Sequence, residues 1–245
     1  GTVVGIAFNS GGHGRHRYDN GTYTGIDLVQ HDGVKRGYLN RSGDIVIDSK
    51  LDRVYPMTSL GAIVENNGKL AFLNREGKEV IPYGDYSALN MDINFAYLGL
   101  KNKDTDKSGV VSMLDGKTIL PFSYDGVTVL TQGMVAAKNG DIIQIISGAE
   151  NNRVLFTLSK GAKFQGFGSD QYMWVTKDTL LSDFTGYKII DMEGKVLYTD
   201  TKNEIKEVSI FAHGYSNVKI NGKWGIMDSQ GNLLVKPVYE KIISL

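Results

Sequence analysis

Asp104 to Asp115 reads DTDKSGVVSMLD, and its side chains fall in the order that a calcium loop uses. Asp104, Asp106 and Ser108 supply oxygens at the first, third and fifth places, Gly109 the sharp turn, Val111 the central apolar residue and Asp115 the last acid. Hard oxygen ligands around a glycine turn are what calcium requires. The last position is Asp instead of the longer Glu, however, and no helical pattern flanks the segment. Alternation makes Val110–Leu114 a strand and Asp115 the acid before a turn glycine, so the segment is read as a solvated hairpin turn and no metal is assigned. His13, His16 and Asp19 lie in GGHGRHRYDNG and could bind a transition metal. The glycines around them make a helix face unlikely to form, and the stretch is read as a loop. The same glycines imitate a phosphate cradle, but the Gly-Lys-Ser/Thr and the helix that should follow are missing. Lys163 to Trp174 (KFQGFGSDQYMW) carries Phe164, Phe167, Tyr172 and Trp174. Exposed, these aromatics would stack against a sugar or a partner's side chain; the competing reading is that they are core.

No catalytic residue is assigned. The chain has no Gly-x-Ser-x-Gly, and none of its four His has a recognisable nucleophile partner. The absence of cysteine excludes thiol catalysis, disulfides and Cys-ligated metals. Carboxylates gathered from separate parts of the chain leave no local motif, so a glycan hydrolase or lyase is the alternative to a binding role. Lys+Arg and Asp+Glu are both 27, which argues against nucleic acid or an anionic membrane as the main partner. No apolar run reaches the roughly 18–20 residues of a membrane-spanning helix.

The elements that would position these residues repeat. Gly214 to Leu245 runs through an apolar stretch ending in Ile220, an Asn221-Gly222 turn, a strand with Trp224, Gly225 and Asp228, a second turn at Gly231, then Pro237 and Tyr239-Glu240. Asn-Gly between apolar runs is the strongest short-range hairpin signal. The same order recurs around Gly43, Gly77, Gly116 and Gly194, and in its weakest copy around Gly148. Spacings of 34, 39, 32, 46 and 37 residues fall where propellers and solenoids live. Arg36-Gly37, Leu70-Ala71 and Gly109-Val110 take the place of Trp224-Gly225 in other copies.

Lys223, Trp224, Gly225, Asp228, Gly231, Pro237 and Tyr239 resemble the repeat of the bacterial WG (KWG) family. The resemblance implies a β-rich array, common in secreted or surface proteins of bacteria, with no activity or cofactor attached to the repeat itself.

Each unit supplies four short strands rich in Val, Ile, Leu, Tyr and Phe, and no segment holds a helical period. A four-stranded meander cannot bury both its faces, so units must stack. The expected fold is one all-β domain over 1–245: about six four-stranded units closed as a β-propeller, with an open β-solenoid as the alternative. In the closed form Tyr239–Leu245 would act as the opening strand that completes the first unit, alongside strands at Gly21–Gln30, Val34–Asn40 and Asp44–Asp48; the alternative is that Thr2–Phe8 fills that first-strand role and the C-terminal strand is an addition. Trp224 is expected in the core. The expected function is a non-catalytic, extracytoplasmic binding module, a monomer engaging a protein or a carbohydrate.

Overall fold

The computed structural model describes residues 6–9, as backbone, and 35–243. Both Asn-Gly pairs turn as their chemistry requires: Asn67 and Gly68 have φ of 52° and 75°, Asn221 and Gly222 of 51° and 76°. Positive φ at two successive residues matches the right-handed twist of the flanking strands. These turns join Gly61–Asn66 to Lys69–Asn74 and Tyr215–Ile220 to Lys223–Asp228.

Repetition of this hairpin, with one strand added on each side, builds the chain. Six antiparallel sheets follow in order, the second to the sixth having four strands each. They begin at Arg53–Val54, Tyr86–Asp92, Gly126–Val129, Lys163–Phe164 and Ile205–Val208, and end at Glu79–Gly84, Thr118–Tyr124, Arg153–Ser159, Val196–Thr199 and Leu233–Tyr239. The first sheet contains Ile6–Asn9, Arg36–Leu39 and Ile45–Leu51 among the described residues. The only helical segment described is a single 3₁₀ turn, Gly148–Glu150. Every described ladder joins strands consecutive in the chain. That is the meander of a β-propeller blade, and it differs from a solenoid, which pairs strands of successive coils. The fold is therefore all-β and of the propeller type.

The third and fourth strands show why the repeat needs its small residue. In the first, second and sixth sheets the pairing slips at two places, the first of them at the small residue. Arg36 and Tyr38 face Leu51 and Ile47; Leu70 and Phe72 face Gly84 and Ile81; Trp224 and Ile226 face Tyr239 and Val235. The fourth strand thus bulges towards the intervening Gly37, Ala71 or Gly225. A Cβ on Gly37 would lie 2.2 Å from the Ile47 carbonyl oxygen, and one on Gly225 2.5 Å from that of Val235. Gly109 meets the Leu120 oxygen in the same way, at 2.7 Å. Ser108-Gly109, not Gly109-Val110, therefore occupies this place in the third unit.

The next turn is set by the side chain that ends the third strand. The N–H groups of Gly43, Gly77, Gly116, Gly194 and Gly231 donate to the backbone oxygens of Asn40, Asn74, Ser112, Asp191 and Asp228. Asp228 Oδ1 also accepts from Gln230 N (2.9 Å) and Asn232 N (2.8 Å), and Asp191 Oδ1 from Glu193 N and Lys195 N, both at 2.9 Å. These five glycines have φ between 75° and 89°, a region that favours glycine. Gly148 departs from the expected series: it opens the 3₁₀ turn, and Asn151 and Asn152 take the positive φ. The lysine before the Trp-Gly position pairs with the acid that follows the fourth strand, as Lys35–Asp52, Lys69–Asp85 (2.6 Å) and Lys223–Glu240.

The expected strand at Gly21–Gln30 lies outside the described residues, as do His13, His16 and Asp19. Within the expected opening strand Tyr239–Leu245, Tyr239 is taken up by pairing with Trp224 and residues 240–243 lie outside the strands, while residues 244–245 lie outside the described residues.

The chain divides into two compact units, Gly1–Phe122 and Ser123–Leu245, each holding three sheets. In the first, Leu70 and Phe72 pack on Leu98 and Leu100 of the third sheet, while Ala71 and Leu73 pack on Tyr38 and Ile47 of the first. In the second, Met173 and Val175 face Ile145 and Leu158 of the fourth sheet, and Trp174 and Ile189 face Val218 and Met227 of the sixth.

Gly225→Val should destabilise the protein by about 1–3 kcal/mol, the usual cost of forcing volume into a packed site, as measured by urea unfolding. The repeat's carboxylates also predict a pH dependence. Hydrogen bonds from Lys35 and from Asn67 N–H hold Asp52 below its ordinary 3.8. Asp228 is pushed up by burial, but N–H groups of Asn232, Gln230 and Gly231 outweigh this and hold it low. With folded values depressed, the unfolded chain binds more protons, so the contribution is complete above about pH 4 and is lost as pH falls through the folded values. The urea midpoint should therefore drop between pH 5 and pH 3, and drop less in Asp52→Asn/Asp228→Asn.

Candidate functional site

Alternation along Tyr172–Thr176, the second strand of the fifth sheet, sends Met173 and Val175 to one face and Tyr172 and Trp174 to the other. Trp174 is 4% exposed, and its indole Nε1 donates to Ser216 Oγ at 2.8 Å. Its ring stacks on Phe211 (centroids 5.8 Å, 25° between planes) and meets Tyr187 edge-on (5.8 Å, 85°). Beside this cluster, between the fifth and sixth sheets, lies a cleft of about 190 Å³. Phe164, Trp174, Tyr187, Val208 and Ile210 form its apolar walls; Lys163, Gln165, Thr176 and Ser209 add polar groups, and among the described residues no carboxylate lines it. Burial holds the Tyr187 hydroxyl above its ordinary value, with Glu207 adding to the effect, so it stays a neutral phenol at pH 7.

Of the four aromatic candidates, Phe164 and Trp174 meet in this cleft. Phe167 is fully buried in the core between the fourth and fifth sheets, edge-on to Phe156 at 6.3 Å. Tyr172 packs edge-on against Phe211 at 5.9 Å and borders a second, shallower depression with Asp191, Glu193, Leu197 and Gln230. The two acids there are already employed: Asp191 holds its turn, and Glu193 binds Arg153 at 3.2 Å.

The calcium-like set does not converge. Asp104 and Asp106 sit in the turn before Ser108–Ser112, and Asp115 in the turn after it. Ser108 to Ser112 is extended, so the two ends are about 13 Å apart at roughly 3.3 Å per residue. Asp106 is bound instead by Lys101 at 2.6 Å, Ser108 is buried as the first residue of its strand, and Asp115 accepts Lys117 N–H at 2.9 Å. Among the described residues no group of three His, Cys, Asp or Glu could hold an ion together.

A buried ion pair escaped the sequence reading. Where the second and sixth sheets use Asn-Gly, the fifth inserts residues 177–187 between its second and third strands. Lys188, fully buried, donates Nζ to Phe184 O (2.8 Å), Ser182 Oγ (3.1 Å) and Asp178 O (3.3 Å), and stands 3.6 Å from Asp178 Oδ2. Asp178 Oδ1 accepts Ser159 N–H and Oδ2 accepts Leu181 N–H, both at 2.8 Å. Burial raises this carboxyl, yet the N–H groups of Ser159, Leu181 and Leu180 and the Lys188 charge keep it below its ordinary value. The pair pins both ends of the insertion, whose last residue, Tyr187, lines the cleft together with Thr176 just before it. The signal was there: a lysine before two isoleucines, inside the longest spacing in the series.

A family model, "WG containing repeat", matches residues 37–69 and 224–244. The likeness is to the repeat, at these two stretches of the chain. Both matched segments contain the small residue opposed by the bulge, Gly37 and Gly225, and the first also runs through Gly61–Asn66, the second strand of the second sheet, to Lys69. No curated protein matches the sequence. Among solved structures, the chain is similar to BamB from Moraxella catarrhalis (15% identity, TM-score 0.41, covering 83% of this chain and 68% of that one). It is also similar to Kluyveromyces marxianus Hsv2 (10%, 0.44, 86% and 80%) and Kluyveromyces lactis Hsv2 (12%, 0.44, 71% and 58%). The chain thus spans less than two thirds of the last of these. Scores this low carry no argument, and the fold rests on the sheets themselves.

The tryptophan of the WG repeat is not core. Trp224 is half-buried, with Lys219 Nζ 5.7 Å from its ring centre. Its counterpart Leu70 is 2% exposed because the third sheet covers it, whereas the sixth sheet is the last of its unit in chain order and no further sheet of that unit covers Trp224. Trp174→Ala should therefore cost about 3–5 kcal/mol, and Trp224→Ala only about 1–2 kcal/mol. Acrylamide should quench the emission left in Trp174→Phe strongly and that left in Trp224→Phe weakly.

Proposed function

We propose that this protein is a non-catalytic binding module, engaging a protein or glycan through the cleft between its fifth and sixth sheets. The observation that carries this is the lining itself: an apolar, aromatic hollow without a carboxylate, beside an insertion held by a buried ion pair. Catalysis of glycan cleavage needs two carboxyl groups facing one bond. Asp191 and Glu193, which border the neighbouring depression, are bound within the turn and to Arg153. Insertions are also where repeat proteins build variable binding surfaces. A site on the bacterial exterior goes with this reading, supported by the resemblance to WG repeats.

The test is a screen of the whole chain against a glycan array and a displayed peptide library, with Ile210→Asp in parallel. Ile210 is 40% exposed at the cleft, so the variant should fold with an unchanged midpoint while the retained ligands are lost. Ligands that bind Ile210→Asp equally well place the function elsewhere. Release of sugar products by the parent chain, abolished by Asp191→Asn, would establish a hydrolase or lyase instead.

A further inference from the structure

Resting on the reading of the cleft as a binding site, we infer that its occupant is a peptide segment of a protein partner, presenting one bulky apolar side chain beside an acidic residue. The size of the cleft sets the first limit. At about 190 Å³ it is smaller than the roughly 300–1,000 Å³ of sites that enclose a whole cofactor or drug-sized ligand. It accommodates a single side chain, in the way that interface pockets receive one anchoring residue.

The polar inventory sets the second. A sugar ring carries hydroxyls on all sides, and a hydroxyl buried without a partner costs about 1–3 kcal/mol. The Ser209 and Thr176 hydroxyls and the Trp174 indole N–H are already committed, which leaves the Tyr187 hydroxyl and the Gln165 amide as the neutral polar groups of the walls. Ser209 Oγ accepts Asn217 N–H at 2.8 Å and donates to Ile210 O at 3.3 Å. Thr176 Oγ1 donates to Thr185 O at 3.2 Å, and Trp174 Nε1 to Ser216 Oγ. Phe164, Val208 and Ile210 offer only hydrocarbon. An apolar side chain leaves nothing unpaired in such a place, whereas a sugar does.

Charge sets the third. Lys163 is exposed at the rim, and among the described residues no acid pairs with it. A carboxylate next to the anchoring residue meets this ammonium, and a lysine there is repelled, which gives the site a preference by sign.

Trp224→Phe leaves Trp174, at the cleft wall, as the only tryptophan of the two in the chain. Its emission can be followed while acetylated, amidated Asp-Phe-Asp, Lys-Phe-Lys and Asp-Ala-Asp, and separately cellobiose, are added. The expected result is a saturable change with Asp-Phe-Asp, a response at least tenfold weaker with Lys-Phe-Lys, and none with Asp-Ala-Asp or cellobiose. Lys163→Glu should reverse the order of the two Phe peptides. Equal response to both Phe peptides, or an order unchanged by Lys163→Glu, overturns the inference. Saturation by cellobiose overturns it in favour of a glycan and leaves the binding module standing. Silence with every probe overturns both the inference and the cleft as the binding site.

Discussion

A four-stranded sheet with apolar side chains on both faces is unstable alone, and every other feature of this protein answers that constraint. Successive residues of a strand point to opposite faces, so the third strand of each unit must satisfy two neighbours at once. In the second sheet Leu70 and Phe72 serve the sheet that follows, and Ala71 and Leu73 the one before. All four are nearly or fully buried. The sequence KLAFLN therefore shows no polar alternation, and a run that is apolar on both faces is what such stacking demands.

The repeat's signature residues serve this packing by fixing register. A slip of one residue would exchange the two faces of a strand. The bulge opposite Gly37, Ala71 and Gly225 admits only a small side chain, and the acceptor side chains of Asn74, Asp191 and Asp228 specify where the chain turns. The ion pairs of Lys35 with Asp52 and Lys69 with Asp85 are solvent-exposed at both partners, and pairs of that kind contribute about 0–1 kcal/mol. Their contribution is to mark where the third strand starts relative to where the fourth ends, more than to hold the sheets together.

Features of this local kind were legible in the sequence. The Asn-Gly turns, the strands Tyr215–Ile220 and Lys223–Asp228 and five of six turn glycines stand where composition put them, because hairpin chemistry is settled within a few residues. What the sequence concealed depends on neighbours far along the chain. Trp224 and Leu70 hold equivalent places, yet one is half-buried and the other sealed, since only Leu70 has a further sheet of its own unit against it. Asp104 and Asp115 satisfy a loop pattern in sequence, but the strand between them is claimed by the ladder of the third sheet, with Gly109 opposite Leu100. The four aromatics from Phe164 to Trp174 separate for the same reason: alternation and the first loop of the fifth sheet send Phe167 towards the fourth sheet and Trp174 towards the sixth.

The fifth sheet departs from the repeat in a way that connects packing to function. Where the first, second, third and sixth sheets have Gly or Ala three residues before the residue whose carbonyl holds the next turn, this one has Lys188, and a fully buried ammonium requires a counter-charge and acceptors. The insertion 177–187 provides both, through Asp178, Ser182 and Phe184. Neither change is tolerable alone: Lys188 without the insertion would be an unpaired buried charge, and the insertion without Lys188 would leave the Asp178 carboxylate buried without its counter-charge. Together they replace a two-residue turn by a fixed loop whose last residue, Tyr187, walls the cleft with Thr176, the residue before the loop. The first strand of this sheet is shortened to Lys163–Phe164, so the Gln165 and Gly166 that follow it lie outside the ladder and line the cleft. The hollow thus lies where one unit gives up regular pairing on both sides of its second strand, and the buried pair makes that loss compatible with a packed core.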